Sequence, residues 1–142
     1  MSNSLKIVCP HCVTVNRLPL ARIEERSLCG NCKHPLFTGK PVELNPSAFG
    51  AHLLRNDIPV VVDFWAPWCA PCRTMAPAFE QAAHRLEPGF RFSRLNTEQY
   101  PKLGDQYNVR SIPTLIEFVG GHETRRQSGA MDAGSIVRWL QG

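Results

Sequence analysis

The chain has 142 residues, 43% of them hydrophobic and 20% charged, with a formal net charge of +4. That fits one medium globular domain, or a small one joined to a medium one, and excludes a disordered or fibrous chain. Apolar runs such as Val60-Val61-Val62 are short, and "MSNSLKIVCPHC" at the start lacks a signal-length apolar stretch, which excludes a membrane span and makes cytoplasm the default location; oligomeric state stays open, with a monomer the default.

The first 41 residues hold Lys6, Arg17, Arg22, Arg26, Lys33 and Lys40 against Glu24 and Glu25, so the whole net charge of +4 lies there. A basic segment can mean nucleic acid. Here Phe37 is the only aromatic residue, so base stacking has no platform and no nucleic-acid partner is expected. The same charge balances an anionic metal site. Cys9-x2-Cys12 and Cys29-x2-Cys32, 16 residues apart, have the spacing of a structural four-cysteine zinc site. Two tight turns each aim a pair of sulfurs at one ion, with Pro10 and Gly30 shaping the turns and Gly30 tolerating positive φ. Local or crossed disulfides are the alternative. They fit poorly with a segment that lacks both an export signal and a core of its own. His11 and His34 are read as solvated, which leaves one structural Zn²⁺ with four protein ligands and no open position.

The Gly/Pro turn "FTGKP" (37–41) reads as a short linker. A strand and a helix follow around 42–54. "PVVVDFWA" (59–66) is a continuous β-branched run, the mark of a strand buried on both faces. From 72 to 86, apolar residues at 75, 79, 82, 83 and 86 keep a helical period that Pro77 interrupts. "FRFSRL" (90–95) is strand-like. After a further helix, "TLIEFV" (114–119) and "ETRRQSG" (123–129) flank a Gly120-Gly121 hairpin turn, and "DAGSIVRWL" (132–140) closes as a helix. The alternation predicts an α/β fold with a mixed central sheet flanked by helices.

The third pair, Cys69 and Cys72, has no partner pair. It follows a buried strand and opens a helix, so Cys69 meets the free N–H groups and positive dipole end that stabilise a thiolate. Cys72 lies deeper. One attacking thiol and one resolving thiol is the arrangement that thiol–disulfide exchange requires.

"VVVDFWAPWCAPC", with "RSIPTLIEFVGG" downstream, resembles a thioredoxin, the well-known case of such a pair. The preceding four-cysteine segment resembles the two-domain, zinc-binding thioredoxin 2 type. The resemblance spans nearly the whole chain and implies a zinc-ribbon-like module over 1–40 and a thioredoxin-like domain over 41–142. It implies that Cys69 attacks a substrate disulfide, that Cys72 resolves the mixed disulfide, and that Asp63 assists proton transfer at Cys72. It further implies a cis Pro113 facing the pair, backbone hydrogen bonds from Ile112 to an extended substrate, Trp68 covering the site with Trp65 either beside it or in the core, and Gly129 keeping the groove shallow. Its partners would be disulfide-containing proteins and an NADPH-dependent thioredoxin reductase. The chain itself has no glycine motif for a nucleotide.

Two residues depart from the family pattern. Ala70 stands where glycine is usual, which is harmless at negative φ. Arg94 stands where many relatives have lysine, and it is either surface-exposed or a partner of Asp63. The reductase reading competes with a redox-regulated zinc-binding chaperone or partner-binding module, and with a disulfide oxidase or isomerase. Reduction potential and clients are not written in the sequence.

Overall fold

The computed structural model describes residues 3–142. Strands β1 (Ser4–Val8) and β2 (Val15–Pro19) pair as an antiparallel hairpin. Two knuckles of the same construction carry the cysteine pairs, one in the connection between these strands and one after β2. Val13 N–H donates to the Cys9 carbonyl and Lys33 N–H to the Cys29 carbonyl, both at 3.0 Å. The left-handed residues are Val13 (φ 68°) and Lys33 (φ 67°), one after the second cysteine of each pair. Gly30, expected to take that conformation, is not among the positive-φ residues. The reversal comes after the pair, where the chain must turn back to close the knuckle.

The larger sheet runs β3 (Val42–Glu43), β5 (Arg91–Asn96), β4 (Val60–Trp65), β6 (Thr114–Val119) and β7 (His122–Ser128) in spatial order. β4 is parallel to β5 and antiparallel to β6, so the sheet is mixed as expected. Helix α1 (Pro46–Arg55) is capped by Asn45, whose side chain accepts from Ala48 N–H, with Pro46 at the first position. Helix α2 (Ala70–Leu86) continues through Pro77; α3 (Pro101–Gln106) is short; α4 (Ala133–Gln141) is capped by Asp132.

Alternation along β4 divides the core. Val60, Val62 and Phe64 pack with Phe49 and Leu53 of α1, while Val61 faces Met75 and Phe79 of α2 and Ile136 of α4. Helices therefore cover both faces. Among the described residues no helix is long and apolar enough to cross a membrane.

The ribbon has a core after all, completed from outside. Ile58, just before β4, packs with Ile7, Leu18, Leu36 and the knuckle cysteines. Arg91, 1% exposed, donates to the carbonyls of Val8 (3.0 Å) and Leu36 (2.8 Å) and lies over the Phe37 ring. Its ion-pair partner Glu87, 3.7 Å away, also accepts from Gly39 N–H, which pins the segment read as a linker. Asn56 accepts from Val8 N–H at 2.8 Å and donates to the buried His52. Through these side chains the larger domain holds the ribbon's backbone.

Candidate functional site: a dithiol pair and a four-sulfur cluster

Cys69 is the N-cap of α2. Its sulfur accepts from Cys72 N–H at 3.2 Å and joins Cys72 in a disulfide, with Cα atoms 5.3 Å apart. Ala70 occupies the helix's first turn and is not among the left-handed residues, so the extra methyl relative to glycine brings no backbone strain. The expected contrast in exposure is narrow in this oxidised state: 4% for Cys69 and 0% for Cys72.

The Ile112–Pro113 bond is cis, and the Ile112 carbonyl oxygen lies 3.7 Å from Cys69 Sγ. Ile112 and Trp65 pack on the small cluster of Ala66, Cys69 and Cys72. Trp68, 67% exposed, stands open to solvent beside it. Gly129 (φ 97°) donates its N–H to the Pro113 carbonyl. The structure thus brings Cys69, Cys72, Ile112 and Pro113 together and leaves Trp68 at the rim.

Asp63 is fully buried on β4. It shares the α2 face with Val61, opposite Leu115 on β6 and Arg94 on β5. Burial pushes its carboxyl up to about 7, against the pull of the Arg94 guanidinium, so both protonation states are accessible near neutrality. Arg94 is thus a partner of Asp63, at 3.5 Å, and not a free surface charge. Its shorter contact, 2.8 Å, goes to Glu43. Reading the sequence missed Glu43 because a two-residue strand hides the register that sets it beside Arg94.

In the ribbon the sulfurs of Cys9, Cys12, Cys29 and Cys32 all lie within 4.8 Å of one another. Two cross-pairs, Cys9–Cys32 and Cys12–Cys29, are at 3.6 Å. A tetrahedron of sulfurs ~2.3 Å from an ion has edges of about 3.8 Å, so the donor set fits a thiolate-bound metal. Backbone N–H groups of His11 and Cys12 point at Cys9 Sγ, and that of Asn31 at Cys29 Sγ. Asn16 and Asn31 add side-chain N–H contacts to Cys29 and Cys12. Without a cation the four cannot all be charged. Cys12 is held down to about 5, chiefly by the Thr14 side chain. At Cys32 the His34 backbone pulls down, but desolvation and the other sulfurs push the thiol up to about 12. His11 and His34 stack on each other at 3.7 Å on the exposed side and are not among the clustered ligand atoms.

Two family models match this chain. A family described as Thioredoxin matches residues 40–142, and one described as Thioredoxin 2, N-terminal matches 8–34. Thioredoxin C-3 of Corynebacterium nephridii is 40% identical over 134 residues, covering 94% of this chain and 92% of its own. Thioredoxin 1 of Nostoc sp. is 38% identical over 99 residues, 70% of this chain and 92% of its own.

Proposed function

The chain belongs to the thioredoxin family and is a thiol-disulfide oxidoreductase, and we propose that it works as a protein-disulfide reductase through Cys69 and Cys72. In the reduced protein the Cys69 thiolate attacks one sulfur of a substrate disulfide. A mixed disulfide forms, the substrate S–S bond breaks, and the released sulfur takes a proton from water. Cys72 then gives its proton to the Asp63 carboxylate and attacks Cys69. The Cys69–Cys72 bond forms, the mixed disulfide breaks, and the second substrate sulfur leaves with the proton that Asp63 returns. Two electrons pass from the dithiol to the substrate.

The observation that carries this reading is the Cys72 N–H aimed at Cys69 Sγ from a helix N-terminus, which favours a thiolate at that sulfur. Ile112, with its carbonyl near Cys69, and Pro113 offer backbone to an extended substrate segment, and Trp68 offers an apolar face. The electron donor in this scheme is an NADPH-dependent thioredoxin reductase, and a monomer in the cytoplasm suits a dithiol kept reduced.

For the cluster we assign one Zn²⁺, held by Cys9, Cys12, Cys29 and Cys32. The ion would supply a structural cross-link, and four sulfur ligands leave no open position for chemistry. NADPH consumption with thioredoxin reductase and a disulfide-bonded protein tests the reductase reading. Turnover by the parent, and none by Cys69→Ser or Cys72→Ser, is the expected result. A folded, metal-loaded parent without turnover would overturn it.

A further inference from the structure

Glu43, Arg94, Asp63 and Leu115 form one rung across β3, β5, β4 and β6. The strand registers pair Glu43 with Arg94, Arg94 with Asp63, and Asp63 with Leu115. Paired positions point to the same side of a sheet, so the four side chains stand in a row on the face covered by α2. The row runs from open to closed. Glu43's side chain is 53% exposed, Arg94's 19%, Asp63's 0%.

The guanidinium could have gripped Asp63 with both prongs of its fork, the geometry that makes arginine–carboxylate pairs strong. It does not. Arg94 Nε stands 3.5 Å from Asp63 Oδ2, and Asp63 Oδ1 has no hydrogen-bond partner among the described residues. Nη1 is turned outward to Glu43 Oε1 at 2.8 Å, and the guanidinium carbon lies 4.0 Å from the centre of the Trp65 ring. Glu43 and Arg94 line an open cavity of about 280 Å³ with Lys40, Pro41, Ala76 and Glu80. The exposed end of the row therefore opens into this cavity, whose lining does not include Cys69, Trp68 or Ile112.

We propose that Glu43 is a positioning residue for the exchange reaction: by holding Arg94 out against Trp65, it denies Asp63 a full ion pair and leaves that carboxyl able to take and return a proton. This rests on the proton-transfer role proposed above for Asp63. The charged groups that bear on Asp63 are Arg94 from β5 and Glu43 from β3, with the cysteine pair at the start of α2 and apolar Leu115 from β6. Lys40 and Glu80 sit at the outer cavity. Glu43 also acts directly, since its charge raises the Asp63 carboxyl while Arg94 lowers it. The two routes differ in one respect: only the positioning route needs Arg94.

The test is the Asp63 titration, followed by the ¹³C signal of its carboxyl in the oxidised protein, for parent, Glu43→Gln, Arg94→Gln and the double variant. Glu43→Gln should lower the midpoint by about one pH unit, because Arg94 swings fully onto Asp63, and Arg94→Gln should raise it. In the Arg94→Gln background the Glu43→Gln shift should fall to a third or less, and Glu43→Asp should restore the parent value. An equal shift in both backgrounds, or none in the single variant, overturns the proposal. The pH profile of protein-disulfide reduction separates the two layers. A carboxyl that shifts while the rate profile stays fixed would overturn Asp63 as the proton acceptor, and Glu43's part in the reaction with it.

Discussion

Replacing Asp63 by Asn should stabilise the protein, by an amount that depends on pH in a specified way. The carboxyl titrates from an ordinary 3.8 up to about 7 in the fold, with burial the leading cause. Between these values the folded state holds a proton that the unfolded chain has released. Raising pH through that window therefore lowers stability, until the folded group itself ionises near 7. A displacement of roughly three pH units corresponds to about 4 kcal/mol, fully developed above the folded midpoint. Asn has the same shape and no charge to bury, so it removes this cost. Urea unfolding of parent and Asp63→Asn at closely spaced pH values should give curves that nearly coincide near pH ~4 and separate by about 1.4 kcal/mol per pH unit. They should then run parallel above pH ~7, with the variant melting roughly 10 °C higher. A gap that is constant with pH, or one that narrows as pH rises, would refute the assignment of Asp63 as a desolvated acid.

Arg91→Met should do the opposite. It leaves the Glu87 carboxyl, whose side chain is 2% exposed, with backbone N–H partners but no counter-charge, and removes the donor to the Val8 and Leu36 carbonyls. The expected loss is about 3–5 kcal/mol, and the Arg91→Met/Glu87→Gln pair should recover part of it. The urea midpoint measures both. Stripping the metal with a chelator and a mild thiol reagent should speed hydrogen exchange first at Cys9, Val13, Cys29 and Lys33, whose N–H groups close the knuckles. Exchange at the β4–β6 ladder should stay slower, and loss of both together would show that the two sheets unfold as one unit.

Much of the fold was legible because its signals are local. The β-branched run at 60–62 carries the mark of a buried strand, and the period of 75, 79, 82, 83 and 86 marked one side of α2. The site was legible where chemistry and spacing coincide, as at Cys69 and Cys72. What stayed hidden depends on register and on contacts distant in the chain. Nothing near Glu43 announces that a two-residue strand sets it next to Arg94, 51 positions on. Nor does Arg91 reveal that its acceptors lie 83 and 55 residues away, in the ribbon. The ribbon therefore reads as a module without a core, whereas Ile58 and Arg91 supply part of its interior.

On the function proposed above, one spacing, Cys-x2-Cys, serves two chemistries in this chain, and the backbone after the second cysteine separates them. In all three pairs the first sulfur accepts a backbone N–H from within its own turn. That contact favours negative sulfur in every case, and only at Cys69 does it come from the N-terminus of a long helix. After Cys12 and Cys32 the chain enters a left-handed residue and doubles back, which leaves both sulfurs of each pair facing the opposite knuckle. After Cys72 it continues into the 17 residues of α2, which covers the second sulfur completely and leaves the first at the helix start. A sulfur that must share an ion needs a partner across a gap. A sulfur that must resolve a mixed disulfide needs to be hidden until its neighbour has reacted. Extending the helix backward over Cys69, or ending it at Cys72, would remove that asymmetry without moving either cysteine in sequence.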